Sequence, residues 1–270
     1  MPKNKFFLSK VDSRLRFGFG ANWLKFAKLI DEIRITEAEN SLNFMLGIDD
    51  LKGKSFLDVG SGSGLFSLAA RRLGARVVSF DYDPQSVECA KELKNRFYRD
   101  DSNWIIESGS VLDFDYMKSL GKFDYVYAWG VLHHTGNMWV ALENIKINVS
   151  DNGRIFISLY NYQPFISIYW LNIKKLYNSF LVFRPIIFIC HFIYPVLPSF
   201  FIKLFSKNKR PRGMSLVYDL IDWLGGYPFE VSTPEQIVDF YIKDDFFLGK
   251  IVTVGGRHGC NEYIFEKKPL

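Results

Sequence analysis

Residues 56–70 read Phe56-Leu57-Asp58-Val59-Gly60-Ser61-Gly62-Ser63-Gly64-Leu65-Phe66-Ser67-Leu68-Ala69-Ala70, and they decide the fold class. An apolar run that is typical of a buried strand ends in a glycine-rich turn, and a helical pattern begins directly after it. The glycines can adopt positive φ angles, and because they lack a Cβ atom a ligand can approach their backbone. Such a strand–turn–helix is where an open α/β sheet binds a nucleotide-like cofactor, with the helix amides facing the ligand.

A second acidic residue follows at the distance expected for a ribose-binding group. Residues 76–80 predict a second strand, and Asp81 ends it about twenty residues after Gly62. A carboxylate at this place can accept hydrogen bonds from both hydroxyl groups of a ribose. Tyr82 follows directly and is placed to lie against an adenine ring.

Three further strand-like runs continue the alternation of strands and helices. They are residues 104–107, 123–129 and 152–159. A turn at 109–113 follows the first of these runs, and the segment 130–135, which contains His133 and His134, follows the second. The spacing Gly-x-Gly-x-Gly after Asp58, with these motifs in order behind it, resembles the class I S-adenosylmethionine (SAM) methyltransferases.

The resemblance implies SAM as the cofactor and an α/β, Rossmann-like fold, with a seven-stranded, mostly parallel sheet and helices on both faces. The cofactor site would consist of Asp58, Gly60, Ser61, Gly62, Gly64, Asp81, Tyr82, Ser110, Val111 and Trp129. A dehydrogenase-type Rossmann domain is the alternative, but its G-x-G-x-x-G fingerprint is incomplete here. A buried parallel sheet alone would explain the apolar runs, but not Asp58, Asp81 or the glycine spacing.

Four segments are expected along the chain. They are an N-terminal helical leader (1–50), a SAM-binding core (51–160), a helical substrate-cap insertion between the fifth strand and the last helix (161–232) and a completion of the core (233–270). An apolar stripe from Trp23 to Met45 predicts a continuous helical region in the leader. Thr233 or Ser232 can cap a final helix, and two last strands should follow it.

The insertion has an apolar first part and a mixed second part. Residues 185–202 carry no formal charge, but Pro185, Pro195 and Pro198 interrupt them, so two or three short helices are predicted rather than a membrane span. Such helices can form a homodimer interface or touch a bilayer through residues 180–205, which a basic cluster follows. Closely spaced glycine, aromatic and acidic residues further on, at 212–230, predict a shaped loop.

The charge and the cysteine content indicate which partners and which cellular compartment to expect. The 34 basic and 29 acidic residues give a net charge of +5, which does not require a nucleic-acid partner. The three cysteines form no CxxC pair, so we expect neither a disulfide framework nor a metal site. The first residues lack a signal-peptide h-region, so we expect a cytoplasmic protein that can contact the membrane peripherally.

Methyl transfer to a hydroxyl oxygen requires a group that accepts the hydroxyl proton. Histidine suits this task near neutral pH, and His133 and His134 follow the fourth strand, where a substrate should approach. We predict that one of them is the catalytic base; a histidine that packs or caps the following helix is the alternative for each. The predicted substrate contacts are Arg14, Tyr160, Asn161, Arg212, Asp219, Asp222, Glu230 and His258.

Over nearly its full length the chain resembles a bacterial branch similar to ubiquinone-biosynthesis-type O-methyltransferases, some of which are encoded among capsule and surface-polysaccharide genes. The resemblance implies methylation of an oxygen of a small polar acceptor, such as a sugar, phosphate or phosphoramidate group of a capsular or surface-polysaccharide precursor. Three alternatives stay open: an isoprenoid phenol of quinone biosynthesis, a tRNA or other RNA, and a non-catalytic SAM-binding partner protein. An RNA enzyme should show a continuous basic face with aromatic side chains for stacking.

Overall fold

One seven-stranded sheet organises the chain in the computed structural model, which describes residues 15–192, 216–256 and 259–269. The strands are β1 (Ser55–Val59), β2 (Arg76–Asp81), β3 (Trp104–Ser108), β4 (Phe123–Trp129), β5 (Val149–Tyr160), β6 (Phe246–Val252) and β7 (Cys260–Lys267). Their order across the sheet is β3-β2-β1-β4-β5-β7-β6. Strands β1 to β5 are parallel, and β7 runs antiparallel to both β5 and β6. The fold class predicted from the sequence is confirmed.

Helices cover both faces of this sheet. In the described residues they are α1 (Gly20–Ala27), α2 (Glu32–Leu46), α3 (Leu65–Arg72), α4 (Pro84–Phe97), α5 (Phe114–Ser119), α6 (Met138–Lys146), α7 (Pro164–Ser179), α8 (184–192), α9 (Leu216–Gly225) and α10 (Pro234–Ile242). Side chains alternate between the faces along each strand, so Phe56 joins one apolar core and Leu57 the other. The first core contains residues of α1 to α4, and the second contains residues of α5, α6 and α10.

The strand order reverses between β1 and β4, and this reversal positions the site. Strands β2 and β3 lie on one side of β1, whereas β4 and β5 lie on its other side. The loops that follow β1 and β4 therefore diverge and leave a crevice at the carboxyl ends of the strands. The glycine turn and the segment 130–135 form the two sides of this crevice.

The leader contains two helices where the sequence predicted a continuous helical stripe. The side chain of Asp31 accepts a hydrogen bond from the amide of Arg34 and caps α2, so the chain changes direction between the helices. Leu29 and Ile33 belong to the predicted stripe, yet both are exposed because they lie beside this break. Helix α1 packs on α4 and α2 packs on α3, so the leader is part of a helical layer of the core.

The two ends of the insertion lie side by side. Asn161, its first residue, and Ser232, its last, form a parallel bridge next to the sheet. Helices α7, α8 and α9 share a small apolar core. The predicted loop is wrong for residues 216–225, which form α9; Leu220 and Leu224 lie one turn apart and are both buried in that core. Within the three described ranges, no helix has the length and apolar character needed to cross a membrane.

Candidate active site

A cavity of about 520 Å³ opens at the carboxyl ends of β1, β2, β4 and β5. Residues of the leader, the glycine turn and the insertion line it together. Nine of the ten predicted cofactor residues are among its lining residues: Asp58, Gly60, Ser61, Gly62, Asp81, Tyr82, Ser110, Val111 and Trp129. The motifs that the sequence shows as separate segments therefore meet in one cavity.

Neighbouring segments approach the backbone of the glycine turn so closely that there is little room for side chains at its glycines. Gly60 and Gly62 have φ angles of 71° and 52°. A Cβ atom on Gly60 would lie 2.4 Å from a methyl carbon of Val131, and one on Gly62 would lie 3.1 Å from the indole of Trp23. Gly64 does not line the cavity; it begins α3 with a φ of 78°, and its Cβ position faces Ala90 at 3.0 Å, so its role is helix packing.

Asp81 is held at the end of β2 by backbone amides. Its Oδ2 atom accepts a hydrogen bond of 2.9 Å from the amide of Gly62, and its Oδ1 atom accepts one of 2.9 Å from the amide of Asp83. Burial raises the pKa of Asp81 to about 6. Each carboxylate oxygen can accept more than one hydrogen bond, so the two hydroxyls of a ribose can still bind here.

Asp58 fixes the glycine turn to the following helix. The hydroxyl of Ser67 in α3 donates a hydrogen bond of 2.5 Å to Asp58. Asp58 is 2% exposed, and burial raises the pKa of its carboxyl group to about 7. The part of the cavity lined by the glycine turn and Asp81 is called the cofactor end. Asp58 lies below this end and sets the geometry of the turn.

The leader closes over the cofactor end of the cavity. The guanidinium of Arg16 donates a hydrogen bond of 2.7 Å to the carbonyl of Thr135 and lies 5.1 Å from the centre of the Tyr82 ring. The amide of Gly20 donates to the side chain of Asp83 at 2.9 Å. These contacts join the leader to the loops after β2 and β4.

The order of strands places the chemical groups in a row along the sheet edge. Asp81 ends β2, the glycine turn follows β1, His134 follows β4 and Tyr160 ends β5. Neighbouring strands lie about 4.8 Å apart, so the row from β2 to β5 spans roughly 14 Å. A ligand held through a ribose at Asp81 would therefore extend toward the histidine pair and Tyr160.

Aromatic side chains and one carboxylate surround the end of the cavity near β5. The aromatic residues are Phe17, Phe19, Tyr160, Trp223 and Tyr227. Asp222 of α9 also lines this end and accepts a hydrogen bond of 2.8 Å from the side chain of Asn22 in α1. We call this region the acceptor end.

The two neighbouring histidines have different surroundings. His133 is fully buried, and its ring lies 3.9 Å, centre to centre, from the ring of Tyr160. Within the described residues neither ring nitrogen of His133 makes a hydrogen bond of normal geometry, although the backbone of Ser158 lies near it. Burial lowers the pKa of His133 well below its usual value, so this ring packs as a neutral side chain.

His134 is only partly buried and lines the same cavity. Its Nδ1 atom lies 2.7 Å from the carbonyl oxygen of Pro228. Burial, followed by the positive charge of Lys174, lowers the pKa of His134 to about 3. His134 is therefore a neutral imidazole at physiological pH, and of the two histidines it has the better geometry for a base.

Lys174 of α7 is a buried lysine next to the acceptor end. Its ammonium group donates a hydrogen bond to the carbonyl of Trp223 and lies 4.4 Å from the centre of the Trp223 ring. Burial lowers the pKa of Lys174 to about 7. Because Asp222 and Cys260 lie close by, their negative forms oppose this decrease.

The structure gives two of the predicted substrate residues other contacts. The side chain of Asn161 donates to the carbonyl of Gly255 and accepts from Asn261. Glu230 accepts hydrogen bonds from the amide of Met138 at the start of α6, and burial raises its pKa to about 7. Neither lines the cavity, so both act in the framework that holds the acceptor end.

The remaining predictions divide into those that the cavity brings together and those beyond the described residues. Tyr160 and Asp222 line the cavity with His134. Arg14, Arg212 and His258 lie outside the described residues, and Asp219 lies in α9 but its side chain is not among those described.

Sequence reasoning did not single out Arg16, Trp223 or Lys174 for the site. A lysine at an inward position of an apolar helix is the signal for Lys174, since Ser167, Lys174 and Tyr177 recur at helical spacing and are all buried. Arg16 sits among aromatic residues of the leader, but nothing local shows that it reaches Thr135.

Comparison with protein-family models identifies the chain. A family described as a methyltransferase domain matches residues 30–187, more than half of the chain, so this protein belongs to that family. The chain therefore contains a methyltransferase domain, and the prediction of SAM as the cofactor of this domain is confirmed. The glycines of the turn and the carboxylate of Asp81 fit this cofactor.

Solved structures share the fold at low sequence identity. Magnesium protoporphyrin IX methyltransferase from Synechocystis PCC 6803 with bound SAH superposes with a TM-score of 0.53 at 12% identity, covering 88% of this chain and 89% of that one. PKMT2 from Rickettsia typhi in complex with AdoHcy gives a TM-score of 0.54 at 15% identity, covering 86% of this chain and 52% of that one. These similarities establish the fold.

Curated relatives match only a short segment. Ribosomal protein L11 methyltransferase from Tolumonas auensis is 48% identical over 48 residues, which is 17% of this chain and 16% of that protein. The same enzyme from Pelobacter propionicus is 53% identical over 49 residues, again 16% of its length. The chain thus matches less than a fifth of each of these relatives.

Proposed function

We propose that the protein transfers a methyl group to an oxygen atom of a small polar acceptor bound between His134, Tyr160 and Asp222. The observation that carries the proposal is the row of groups along the sheet edge, from Asp81 at β2 to Tyr160 at β5. This row supports separate places for the cofactor and the acceptor in one cavity. His134, which follows β4, would lie beside the acceptor oxygen.

The residues of the chain perform three tasks in this reaction. Asp81 and the glycine turn bind the cofactor, and the leader excludes water from it through Arg16 and Trp23. When bound, SAM would supply an electrophilic methyl group: the acceptor oxygen would bond to the methyl carbon as the carbon–sulfur bond breaks and S-adenosyl-L-homocysteine leaves, and the oxygen would lose its proton. His134 accepts that proton on Nε2. Most of the rate then comes from holding the reactants in line in a dry cavity.

The lining of the acceptor end supports a sugar or phosphate group of a capsular or surface-polysaccharide precursor as the acceptor. Mostly apolar walls with a few fixed polar groups are typical of small-molecule sites. Here aromatic faces can stack on the apolar face of a sugar ring, while Asp222 can accept hydrogen bonds from its hydroxyls. Arg16 lies outside the acceptor end, but its charge reaches His134, so it can contact an anion bound there. Burial keeps Tyr160 a neutral phenol, because it raises the pKa of Tyr160 well above its usual value.

Labelled SAM tests the proposal directly. The protein is incubated with panels of sugar nucleotides, phosphorylated sugars and demethyl-quinone phenols, with and without lipid vesicles, and the label in each acceptor is measured. We expect label in the sugar or phosphate panel, and methylated oxygen in the product by mass spectrometry and NMR. Label only in the phenols, or on a nitrogen atom, would overturn the proposed acceptor while leaving the methyltransferase assignment intact.

A further inference from the structure

The net charge of +5 hides an uneven distribution of charge along the chain. Between residues 161 and 218 there are eight Lys and Arg residues and no Asp or Glu, so all 29 acidic residues lie elsewhere. The rest of the chain therefore carries more acidic than basic side chains. A long segment with charge of one sign attracts a partner of the opposite sign.

The described helices of the same region expose an unusual amount of apolar surface. Half of the large apolar side chains that are exposed in the described residues lie between residues 165 and 189. Phe165 is 89% exposed and Val182 is 73% exposed, and Phe180, Leu181 and Ile186 are also more than half exposed. We call the exposed side of residues 165–189 the apolar face.

Helix α7 buries one side and exposes apolar side chains on the other. Its inner side carries Tyr177, which is buried in the core shared with α8 and α9. Its outer side carries Phe165, Ile168, Tyr169 and Leu176 at helical spacing, where a surface helix of a globular protein normally has polar residues. An exposed apolar patch of this kind marks a binding surface.

We propose that the apolar face docks on the surface of an anionic lipid bilayer. Exposed aliphatic and aromatic side chains can enter the boundary between headgroups and acyl chains, while Lys and Arg side chains attract the anionic headgroups. Of the eight positive charges, Lys174 is buried, Lys175 and Arg184 lie in or beside the described helices, and the other five belong to the sequence between residues 193 and 215. Basic residues therefore adjoin the apolar face in the sequence.

The charge pattern favours a bilayer over the other possible occupants. A second copy of the chain would bring two surfaces of like positive charge together, which is unfavourable. A nucleic acid would match the charge and could stack on Phe165 or Phe180, but seven of the eleven exposed apolar side chains of the face are aliphatic and would gain nothing from a phosphate backbone. Residues 193–215 could instead cover the apolar face. That arrangement would not explain why residues 161–218 contain no Asp or Glu.

The proposed docking surface lies one helix away from the acceptor end. Helix α9 contributes Leu220 and Leu224 to the core that it shares with α7 and α8, while its Asp222 and Trp223 line the cavity. Docking would hold the acceptor end near the bilayer surface. The docking proposal does not depend on which acceptor is methylated.

Vesicle flotation tests the docking. The full chain is mixed with vesicles of phosphatidylcholine alone, or of phosphatidylcholine with phosphatidylglycerol, at low and high salt. We expect flotation with the anionic vesicles, a decrease at high salt because screening weakens the charge attraction, and little flotation with phosphatidylcholine alone. A dye on the exposed thiol of Cys190, in a Cys260→Ser background, should report an apolar environment with the anionic vesicles.

Matched variants separate this surface from general stickiness. The triple variant Phe165→Ser, Leu181→Ser, Val182→Ser should lower the fraction bound by about tenfold or more, because it removes apolar side chains that would enter the bilayer. The control Ile33→Ser, Phe114→Ser, Val140→Ser removes exposed apolar side chains elsewhere and should bind like the parent. Circular dichroism checks that both variants are folded.

Three outcomes would overturn the proposal. The first is equal flotation with neutral and anionic vesicles, which would remove the role of charge. The second is a lack of flotation with a stable dimer in sedimentation equilibrium, which would assign the apolar face to a second copy. The third is a lack of flotation by a monomer, which would assign the apolar face to residues 193–215.

Discussion

The Nδ1 atom of His134 lies 2.7 Å from the carbonyl oxygen of Pro228, and this contact decides which ring nitrogen can accept a proton. A carbonyl oxygen only accepts hydrogen bonds, so Nδ1 must carry the hydrogen of the neutral ring. The lone pair is then on Nε2. Residues of the insertion therefore set the tautomer of a histidine that follows β4.

The first prediction concerns this base. His134→Gln should lower kcat by about 10²–10⁴-fold, since it removes the proton acceptor, and should leave the Kd for SAM nearly unchanged. His133→Leu is the matched control: the ring of His133 is fully buried with no described hydrogen bond, so an apolar side chain of similar volume should keep most of the activity. Single-turnover rates and calorimetry measure both effects. Full activity of His134→Gln would place the proton acceptor elsewhere.

The second prediction assigns Lys174 a positioning role through charge. The positive charge of Lys174 lowers the pKa of His134, so Lys174→Met should raise that pKa. The titration of the His134 imidazole, followed by NMR, should then move to higher pH, while the Kd for SAM at pH 7.5 stays the same. Lys175→Met is the neighbouring control and should leave this titration in place. A fall in activity at every pH without a shift would indicate a purely structural role.

Much of the core fold could be predicted because its signals are local. Strand β4 begins at Phe123 and ends at Trp129, as its apolar run predicts, and Thr233 caps α10 through a capping box with Gln236. Local patterns failed where an apolar stripe continues across a change of direction. Asp31 interrupts the leader stripe, and a stripe alone does not show that a cap within it begins a new helix.

The missed parts of the site depend on contacts between distant residues. Arg16 reaches the carbonyl of Thr135 across 119 positions of the chain, and Asn22 reaches Asp222 across 200. Contacts between residues so far apart in the chain produce no characteristic spacing in the sequence. Lys174 was missed because a lysine in a helix is usually solvated, and only the packing of α7 on α9 buries this one.

The third prediction tests the glycine turn. Gly62→Ala should weaken SAM binding strongly, since the added Cβ would displace Trp23 in a turn whose φ angle already disfavours alanine. Gly121→Ala is the matched control, because Gly121 has a φ of 77° but no atom within 4 Å of its Cβ position. Both variants should lose about 1 kcal/mol of stability from backbone strain. Only Gly62→Ala should weaken SAM binding in calorimetry; equal weakening in both would mean that strain alone is responsible.

The fourth prediction is a pH dependence of cofactor binding. Burial raises the pKa of Asp81 to about 6, and a ribose that donates hydrogen bonds favours its charged form. SAM affinity should therefore fall below pH 6, by up to about tenfold per pH unit. Asp81→Asn should weaken binding at pH 7.5 by about 2–3 kcal/mol and remove this dependence. Calorimetry over the pH range checks both results, with the exposed Asp115→Asn as control; an unchanged slope in Asp81→Asn would exclude Asp81 as its source.

The last prediction concerns stability without SAM. Burial raises the pKa of Asp58 from 3.8 in the unfolded chain to about 7, so the folded state holds this proton more tightly. The stability that the proton contributes is fully present below pH 3.8 and is lost as the pH rises through 7. The loss is on the order of 4 kcal/mol for a shift of this size.

Asp58→Asn should remove this pH dependence, because the amide oxygen still accepts the hydrogen bond from Ser67 and no charge is buried at high pH. The folded state of the variant should be less stable than that of the parent near pH 4.5 and more stable than that of the parent at pH 7.5. Urea midpoints at these pH values, compared with Asp115→Asn, measure the difference between the proteins. A difference that stays constant with pH would mean that Asp58 does not change its protonation state over this range.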